Sequence, residues 1–149
     1  MARKYNQGLF VPQNPRKYKG DIGNIQYRSS WELTWMMRCD SDPNILMWSS
    51  EELIIPYISP LDKKKHRYYP DFLMQTKQID GSKKTFVVEI KPFKETKEPV
   101  INSKRRKKTM LKEAQTYSVN QAKWKYAKAW CADRKIEFIV ITEKELYGH

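Results

Sequence analysis

The first third of the chain has the apolar pattern of one helix followed by a short strand. From Ser29 to Cys39 the apolar side chains recur at helical spacing, and a serine before such a run is a preferred helix start. Residues 53–58 form a brief apolar run, in which Pro56 favours an edge strand or a bulge because proline cannot donate to a ladder. Residues 44–50 are interpreted as a connection between the two elements.

The middle of the chain has the pattern of a β-hairpin. Residues 67–74 and 84–91 are both strand-like, since they are rich in aromatic and β-branched side chains. Between them lies Asp80-Gly81, a preferred turn dipeptide. We therefore expect two antiparallel strands that meet at this turn.

The last third of the chain predicts two helices and a strand. A short helix is expected at 109–115, a longer one at 118–133, and a buried strand at 136–141. The order of these elements predicts an α/β fold, with a mixed β-sheet flanked by helices, in a single domain over 29–149. Residues 1–28, with six basic residues and one acid, are interpreted as a basic N-terminal arm or a solvated tail.

The net charge of the chain indicates which class of partner it binds. The 149 residues include 29 Lys and Arg against 17 Asp and Glu, a formal net charge of +12. An excess of this size favours a polyanionic partner, and nucleic acid is the first candidate. Because 40% of the residues are hydrophobic, the chain can still bury one modest core.

Several classes of protein do not fit the sequence. No apolar run approaches the ~20 residues that span a bilayer, so no membrane association is expected, and no secretory signal is recognisable. Cys39 and Cys131 lie far apart and indicate buried free thiols, too few ligands for structural zinc. The sequence has two histidines and no glycine-rich phosphate-binding motif. Any catalysis must therefore depend on carboxylates and lysines.

Three carboxylates and one lysine follow each other in the predicted elements. Glu32 lies in the first helix, Asp71 in the first hairpin strand, and Glu89 with Lys91 in the second. Residues i and i+2 of a strand point to the same face, so Glu89 and Lys91 project together. If Asp71 pairs directly with Glu89, their Cβ atoms lie about 4.5–5.5 Å apart. A slip of one residue would separate them, so this hypothesis depends on the register of the hairpin.

Two adjacent carboxylates repel each other unless a cation lies between them. Their hard oxygen atoms suit Mg²⁺, with Mn²⁺ as the alternative. Such a metal polarises a phosphoryl oxygen, while a lysine on the same face orients or helps to deprotonate an attacking water. The residues are therefore the parts needed for metal-assisted hydrolysis of a phosphodiester.

Each of these residues also has a plainer explanation. Glu32 is the fourth residue of a Ser29-x-x-Glu32 capping box. Asp71 could be a turn carboxylate, and Glu89 with Lys91 a solvated charge pair on a strand. The order and context of the residues, next to the positive charge excess, favour the catalytic interpretation.

A dense basic run follows the hairpin and consists of Lys104, Arg105, Arg106, Lys107 and Lys108. Basic residues that neutralise phosphates give affinity for nucleic acid that does not depend on sequence. We expect this run to contact double-stranded DNA or DNA ends with low sequence specificity, since no element is suited to reading base edges. A solvated helix start is the alternative.

The motifs resemble those of the PD-(D/E)XK nuclease superfamily, in the order Glu32, Pro70-Asp71 and Glu89-Ile90-Lys91. Their surroundings are similar to the TnsA-like transposon endonucleases, in the segments 28–32, 68–72 and 88–92. The resemblance implies a restriction-endonuclease-like core. It also implies metal binding by Asp71, Glu89 and the carbonyl of Ile90, action of Lys91 on the attacking water, and Glu32 as an additional helix carboxylate.

Over nearly its whole length, the chain also resembles the small basic nucleases that T-even-like phages use in head completion. This resemblance implies an endonuclease that acts on DNA ends after genome packaging and contacts head, portal or neck proteins. It further implies a location in the virion head, and in the host cytoplasm during assembly. Two alternatives stay open: a non-catalytic DNA-binding structural protein of the phage head or neck, and a transposition or repair nuclease of the same fold.

Overall fold

The fold is known from a computed structural model, which describes residues 7–148. Within this range the secondary structure consists of strands, α-helices and two short 3₁₀ turns at Pro15–Lys17 and Phe93–Thr96. The strands are β1 Gly8–Leu9, β2 Gln26–Tyr27, β3 Ile45–Ser50, β4 Ile55–Ile58, β5 Lys65–Tyr68, β6 Phe72–Lys77, β7 Lys83–Ile90 and β8 Glu137–Ile141. The helices are α1 Ser30–Ser41, α2 Lys107–Asp133 and α3 Glu143–Tyr147.

A four-stranded sheet in the order β3-β6-β7-β8 forms the centre of the molecule. β6 is antiparallel to both of its neighbours, β3 and β7, whereas β8 runs parallel to β7. The predicted α/β fold with a mixed sheet is therefore confirmed. β4 and β5 pair only with each other and form a separate antiparallel ribbon.

The two faces of the sheet carry two different cores. The alternation along β8 shows this directly, because Ile139 and Ile141 pack into one cluster while Phe138 and Val140 pack into the other. The first cluster joins α1 to the sheet through the buried residues Trp35, Met36, Cys39, Trp48, Phe72 and Val88. The second cluster joins α2 to the β4–β5 ribbon through Ile55, Tyr57, Tyr68, Trp124 and Ala127. Helices therefore cover both faces, as predicted.

The hairpin between β6 and β7 has the expected turn. Residues 78–82 reverse the chain, and Gly81 has a φ of 87°, in the left-handed region that glycine adopts readily. The register pairs Phe72 with Val88, and one step outward it places Asp71 opposite Glu89. This register positions the carboxylates.

Two expectations about the strands were wrong. Residues 44–50 are not a connection, because Ile45–Ser50 is the edge strand of the main sheet, with a bulge between Ile45 and Met47. Burial on both faces hides the alternation that usually marks a strand. Residues 67–74 do not form one strand either, because the fully buried Pro70 interrupts them. Proline has no N–H for the ladder, so β5 joins the ribbon and β6 joins the sheet.

The helices at 109–115 and 118–133 are one continuous helix. α2 has 27 residues, and no glycine or proline interrupts it. The polar residues around residue 116 impose no backbone constraint, so the helix continues through them. α3 was not predicted. Its start is fixed by a capping box between Thr142 and Glu145.

Most of the described N-terminal segment packs on the domain. β1 pairs with β2, and Tyr18 and Ile25 are buried in the first core cluster. Phe10 also packs there, whereas Leu9 and Val11 are exposed. A solvated tail is therefore excluded for this segment, while residues 1–6 of the predicted arm lie outside the described residues.

Both cysteines, Cys39 and Cys131, are buried and free, as expected. Across residues 7–148, no helix is both long and apolar enough to cross a membrane.

Candidate active site

The site lies at the end of β7, on the sheet face that α2 covers. Glu89 and Lys91 point to this face, since Val88 and Ile90 point into the α1 core. Asp71 comes one residue before β6, and extension of the register places it opposite Glu89, with its carbonyl bonded to Glu51 on the other side and not to β7. Side chains of directly opposite residues come close to each other, so the two carboxylates face each other.

Asp71 is fixed by the backbone of β7. Its Oδ2 accepts a hydrogen bond of 2.7 Å from the N–H of Ile90, and its own carbonyl accepts one of 3.1 Å from the N–H of Glu51. Because N–H and C=O of one strand residue point to the same neighbour, the carbonyl of Ile90 is also directed toward Asp71. Asp71 is thus held in place with its second carboxylate oxygen, Oδ1, free of hydrogen bonds within the described chain.

Glu89 is buried and has two partners. The hydroxyl of Tyr68 donates a hydrogen bond of 2.7 Å to its Oε1, and the Nζ of Lys91 lies 3.7 Å from its Oε2. Tyr68 comes from β5, three residues before Asp71 in the chain. Its position next to Glu89 depends on the break at Pro70, which the sequence pattern did not show.

Lys123 of α2 adds a second cation to this face. It lies half-buried over the rings of Tyr57 and Tyr68, with Nζ 5.9 Å and 5.6 Å from their centroids. Gln121 and Lys125 are two further polar residues of this part of α2. Both are exposed, and both lie about 200° around the helix from Lys123. The helical stripe of Trp124 and Ala127 was the signal that could have located Lys123.

The pKa values of the two carboxylates are both raised, and burial is the main cause in each case. Burial raises the pKa of Asp71 well above its ordinary value, and repulsion from Glu89 raises it further. Burial also raises the pKa of Glu89, although the Tyr68 hydrogen bond and the nearby Lys91 oppose this shift. Burial lowers the pKa of Lys123, against the attraction of Glu89. The chain therefore holds two acids where their negative charge is disfavoured unless a cation compensates it.

Glu32 lies at the start of α1, at the edge of this group. Burial raises its pKa, and its charge in turn raises the pKa of Asp71, by less than Glu89 does. Ser29 caps the helix by accepting a 3.2 Å hydrogen bond from the N–H of Glu32. The Glu32 carboxylate accepts from the N–H of Arg28 instead of that of Ser29, so the capping box is shifted by one residue.

Glu51 is a further carboxylate that the sequence did not single out. It follows β3 in the left-handed region, with a φ of 55°, which is uncommon for a residue other than glycine. Arg28 donates to both carboxylate oxygens of Glu51 at 2.6 Å, and the charge of Glu51 raises the pKa of Glu32, whereas the charge of Arg28 lowers it. The ion pair between Arg28 and Glu51 therefore stabilises the turn after β3, and the N–H of Glu51 in this turn donates to the carbonyl of Asp71.

The donor set can be compared with what a metal needs. Within residues 7–148, no three His, Cys, Asp or Glu side chains are grouped closely enough to hold a metal ion on their own. However, Mg²⁺ usually keeps several waters and binds proteins through only one or two carboxylates. Asp71 and Glu89, with the carbonyl of Ile90, provide hard oxygen atoms, and the repulsion between the two acids favours a cation between them. This set fits a hydrated Mg²⁺.

The basic run divides into two parts. Lys104, Arg106, Lys107 and Lys108 are exposed around the first turn of α2. Arg105 instead donates to the carbonyl of Val100 and pairs with Glu113 at 2.8 Å. Four of the five residues can therefore contact phosphates, while Arg105 links the preceding loop to the helix through its bonds to Val100 and Glu113.

Comparison with known proteins identifies the family. The model of a family described as TnsA-like endonuclease N terminal matches residues 42–143. The chain is also 41% identical over 142 residues to the head completion nuclease of Enterobacteria phage T4, with 93% of this chain and 92% of that protein covered. The chain belongs to the TnsA-like endonuclease family. The resemblances to the TnsA-like endonucleases and to the head-completion nucleases of T-even-like phages are thereby confirmed.

Membership of the TnsA-like family makes the chain a nuclease with a restriction-endonuclease-like domain, which agrees with the mixed sheet and its flanking helices. The TnsA-like match includes Asp71, Glu89 and Lys91, and it begins ten residues after Glu32. The matched segment thus holds the face-to-face carboxylates, whereas Glu32 lies outside it.

Proposed function

We propose that this TnsA-like chain is a Mg²⁺-dependent DNA endonuclease that hydrolyses phosphodiesters at DNA ends during phage head completion. The observation that carries the proposal is the face-to-face placement of Asp71 and Glu89, with Lys91 beside Glu89. The setting is supported by the relative from phage T4, whose name is head completion nuclease.

Asp71, Glu89 and the carbonyl of Ile90 would hold the metal, with Mn²⁺ as the alternative ion. When bound, a divalent ion supplies a Lewis acid and a bound water that ionises more readily. Lys91 orients the attacking water, because its Nζ already lies 3.7 Å from Glu89. Tyr68 holds Glu89 in place, and the adjacent Lys123 attracts the scissile phosphate. Glu32 adds negative charge at the edge of the site.

The DNA contact is proposed at the start of α2. Lys104, Arg106, Lys107 and Lys108 are exposed there, and the positive end of the helix dipole also favours phosphate. These contacts do not read bases, so cleavage is expected with low sequence specificity. We further propose that the protein acts in the phage head, in contact with head, portal or neck proteins.

The experiment compares Asp71→Asn and Glu89→Gln with the wild type on linear double-stranded DNA, with Mg²⁺, Mn²⁺ or EDTA. Both variants should lose metal-dependent cleavage by at least about 100-fold, the scale on which essential electrostatic groups act, and still bind DNA. Asp133→Asn is the matched control, because Asp133 is an exposed carboxylate of α2.

Undiminished cleavage by either variant would refute the metal-binding role of that residue. Wild-type protein that binds DNA but cleaves none with either metal would instead favour the non-catalytic structural alternative.

A further inference from the structure

A cavity of about 620 Å³ opens between the segment that follows β7 and the first half of α2. Both of its walls continue from the active-site elements. Lys94 in one wall comes three residues after Lys91, and Asn120 in the other wall comes three residues, about one helical turn, before Lys123. The cavity is therefore adjacent to the carboxylates along both elements.

Asn120 is a buried polar residue in the lining of this cavity. Its exposed fraction is 5%, and its side chain makes no hydrogen bond with any of residues 7–148. Within residues 7–148, the fully enclosed side-chain atoms without a partner are the indole nitrogens of Trp35, Trp48 and Trp124, so the amide of Asn120 keeps contact with the cavity. The amide of Asn120 offers two donors and an acceptor to whatever enters the cavity.

The rest of the lining is aromatic, apolar and basic. Tyr117 lies one turn before Asn120, and Pro99 and Val100 contribute apolar surface. Arg105 and Glu113 neutralise each other, which leaves three lysines against two glutamates in the lining. An aromatic ring, an amide and flanking cations are the groups that proteins use to hold an unstacked base and its phosphates.

We infer that this cavity binds one unstacked nucleotide of a single-stranded DNA end, next to the scissile phosphate. Asn120 hydrogen-bonds to the edge of the base, Tyr117 stacks on its face, and Lys94 contacts the adjoining phosphate. The volume lies within the range of about 300–1,000 Å³ that takes small-molecule ligands, a size class that includes a nucleotide but not a duplex. This inference rests on the proposed function and specifies its substrate as DNA with a frayed or overhanging end.

The experiment measures binding in EDTA, so that no cleavage occurs. A blunt duplex is compared with the same duplex carrying a five-nucleotide overhang, on either the 3′ or the 5′ strand. The wild type should bind one overhang about tenfold more tightly, the effect of stacking one base on an aromatic side chain. Tyr117→Ala and Asn120→Ala should lose this preference and keep the affinity for blunt DNA, whereas Tyr117→Phe should retain it.

Tyr126→Ala is the matched control, because Tyr126 is an exposed tyrosine of the same helix outside the cavity lining. If Asn120→Ala does not fold, the contrast between Tyr117→Ala and Tyr117→Phe decides. Equal affinity of the wild type for both DNAs, or an unchanged preference in Tyr117→Ala, would overturn the inference. Because the wild type would still cleave DNA with Mg²⁺ in that case, failure of the inference is distinguishable from failure of the proposed function.

Discussion

Tyr68 donates its hydroxyl hydrogen to Glu89 across two different sheets. The tyrosine belongs to the β4–β5 ribbon and the glutamate to the main sheet, and the oxygen atoms lie 2.7 Å apart. Burial raises the pKa of the Tyr68 phenol, and the charge of Glu89 raises it further, so the phenol stays a donor. One carboxylate oxygen of Glu89 is thereby occupied, and the other is left toward Lys91 and the proposed metal.

Removal of this hydroxyl should affect both stability and cleavage. Tyr68→Phe leaves a buried carboxylate oxygen without its donor, which costs about 1–3 kcal/mol in the free energy of unfolding. Because Glu89 is then free to rotate, we expect kcat to fall about tenfold or more. Urea unfolding and single-turnover cleavage measure the two effects. Tyr69→Phe, at the exposed neighbouring tyrosine, should change neither, and a Tyr68→Phe protein with normal kcat would show that Glu89 needs no such support.

The stability of the metal-free protein should depend on pH through Asp71. Burial and repulsion from Glu89 raise the pKa of Asp71 in the folded state, so the folded protein binds more protons than the unfolded chain between the two pKa values. Stability therefore falls as pH rises from about 4, the unfolded pKa, toward the raised value. Asp71→Asn should flatten this decline. Melting temperatures in EDTA from pH 4 to pH 8 provide the measurement, and parallel curves for the two proteins would contradict the expectation.

Glu32 and Ser29 allow helix capping to be separated from catalysis. Ser29→Ala removes the cap but leaves the Glu32 carboxylate, and should cost about 1 kcal/mol of stability without loss of cleavage. Glu32→Gln keeps an acceptor for the N–H of Arg28 but removes the negative charge, and should lower cleavage with little change in melting temperature. The opposite result, an unstable but active Glu32→Gln protein, would leave Glu32 a structural role only.

The basic run should separate into DNA-binding and structural residues. Reversal of Arg106 and Lys107 to Glu should weaken binding to all DNA sequences alike. It should also reduce the slope of log K against log salt by about 0.9 for each phosphate that the variant no longer neutralises. Arg105→Glu breaks the pair with Glu113 and the bond to Val100, so it should mainly loosen the preceding loop. A salt titration of binding tests both variants, and an unchanged slope in the Arg106 and Lys107 variant would place the DNA-binding surface elsewhere.

The local part of the site could be predicted from the sequence because it depends on strand geometry. The face shared by Glu89 and Lys91 follows from the period of two, whereas the register that sets Asp71 opposite Glu89 was left open by the sequence and comes from the structure. The cap of α1 at Ser29 and the apolar run of β7 before Glu89 are also local features of the sequence. The structure has all of these features.

The remaining residues depend on tertiary contacts that periodicity does not encode. Tyr68 reaches Glu89 only because Pro70 divides an apparently continuous strand. Lys123 lies over the ribbon because α2 packs there, and Glu51 reaches Asp71 through a left-handed backbone turn. Arg105 belongs by charge to the basic run, but its side chain is occupied by Glu113, eight residues further along the chain.

Pro70 divides the site between two units of the fold. Tyr68 is carried by a four-residue strand that packs on α2, whereas Asp71 precedes a strand of the main sheet. Small packed units of this kind open at a lower free energy than the core of a domain. Detachment of the ribbon would withdraw the donor from Glu89 while the α1 core stayed folded. We therefore expect cleavage to be lost on heating before the sheet melts, at the temperature at which the ribbon detaches from α2.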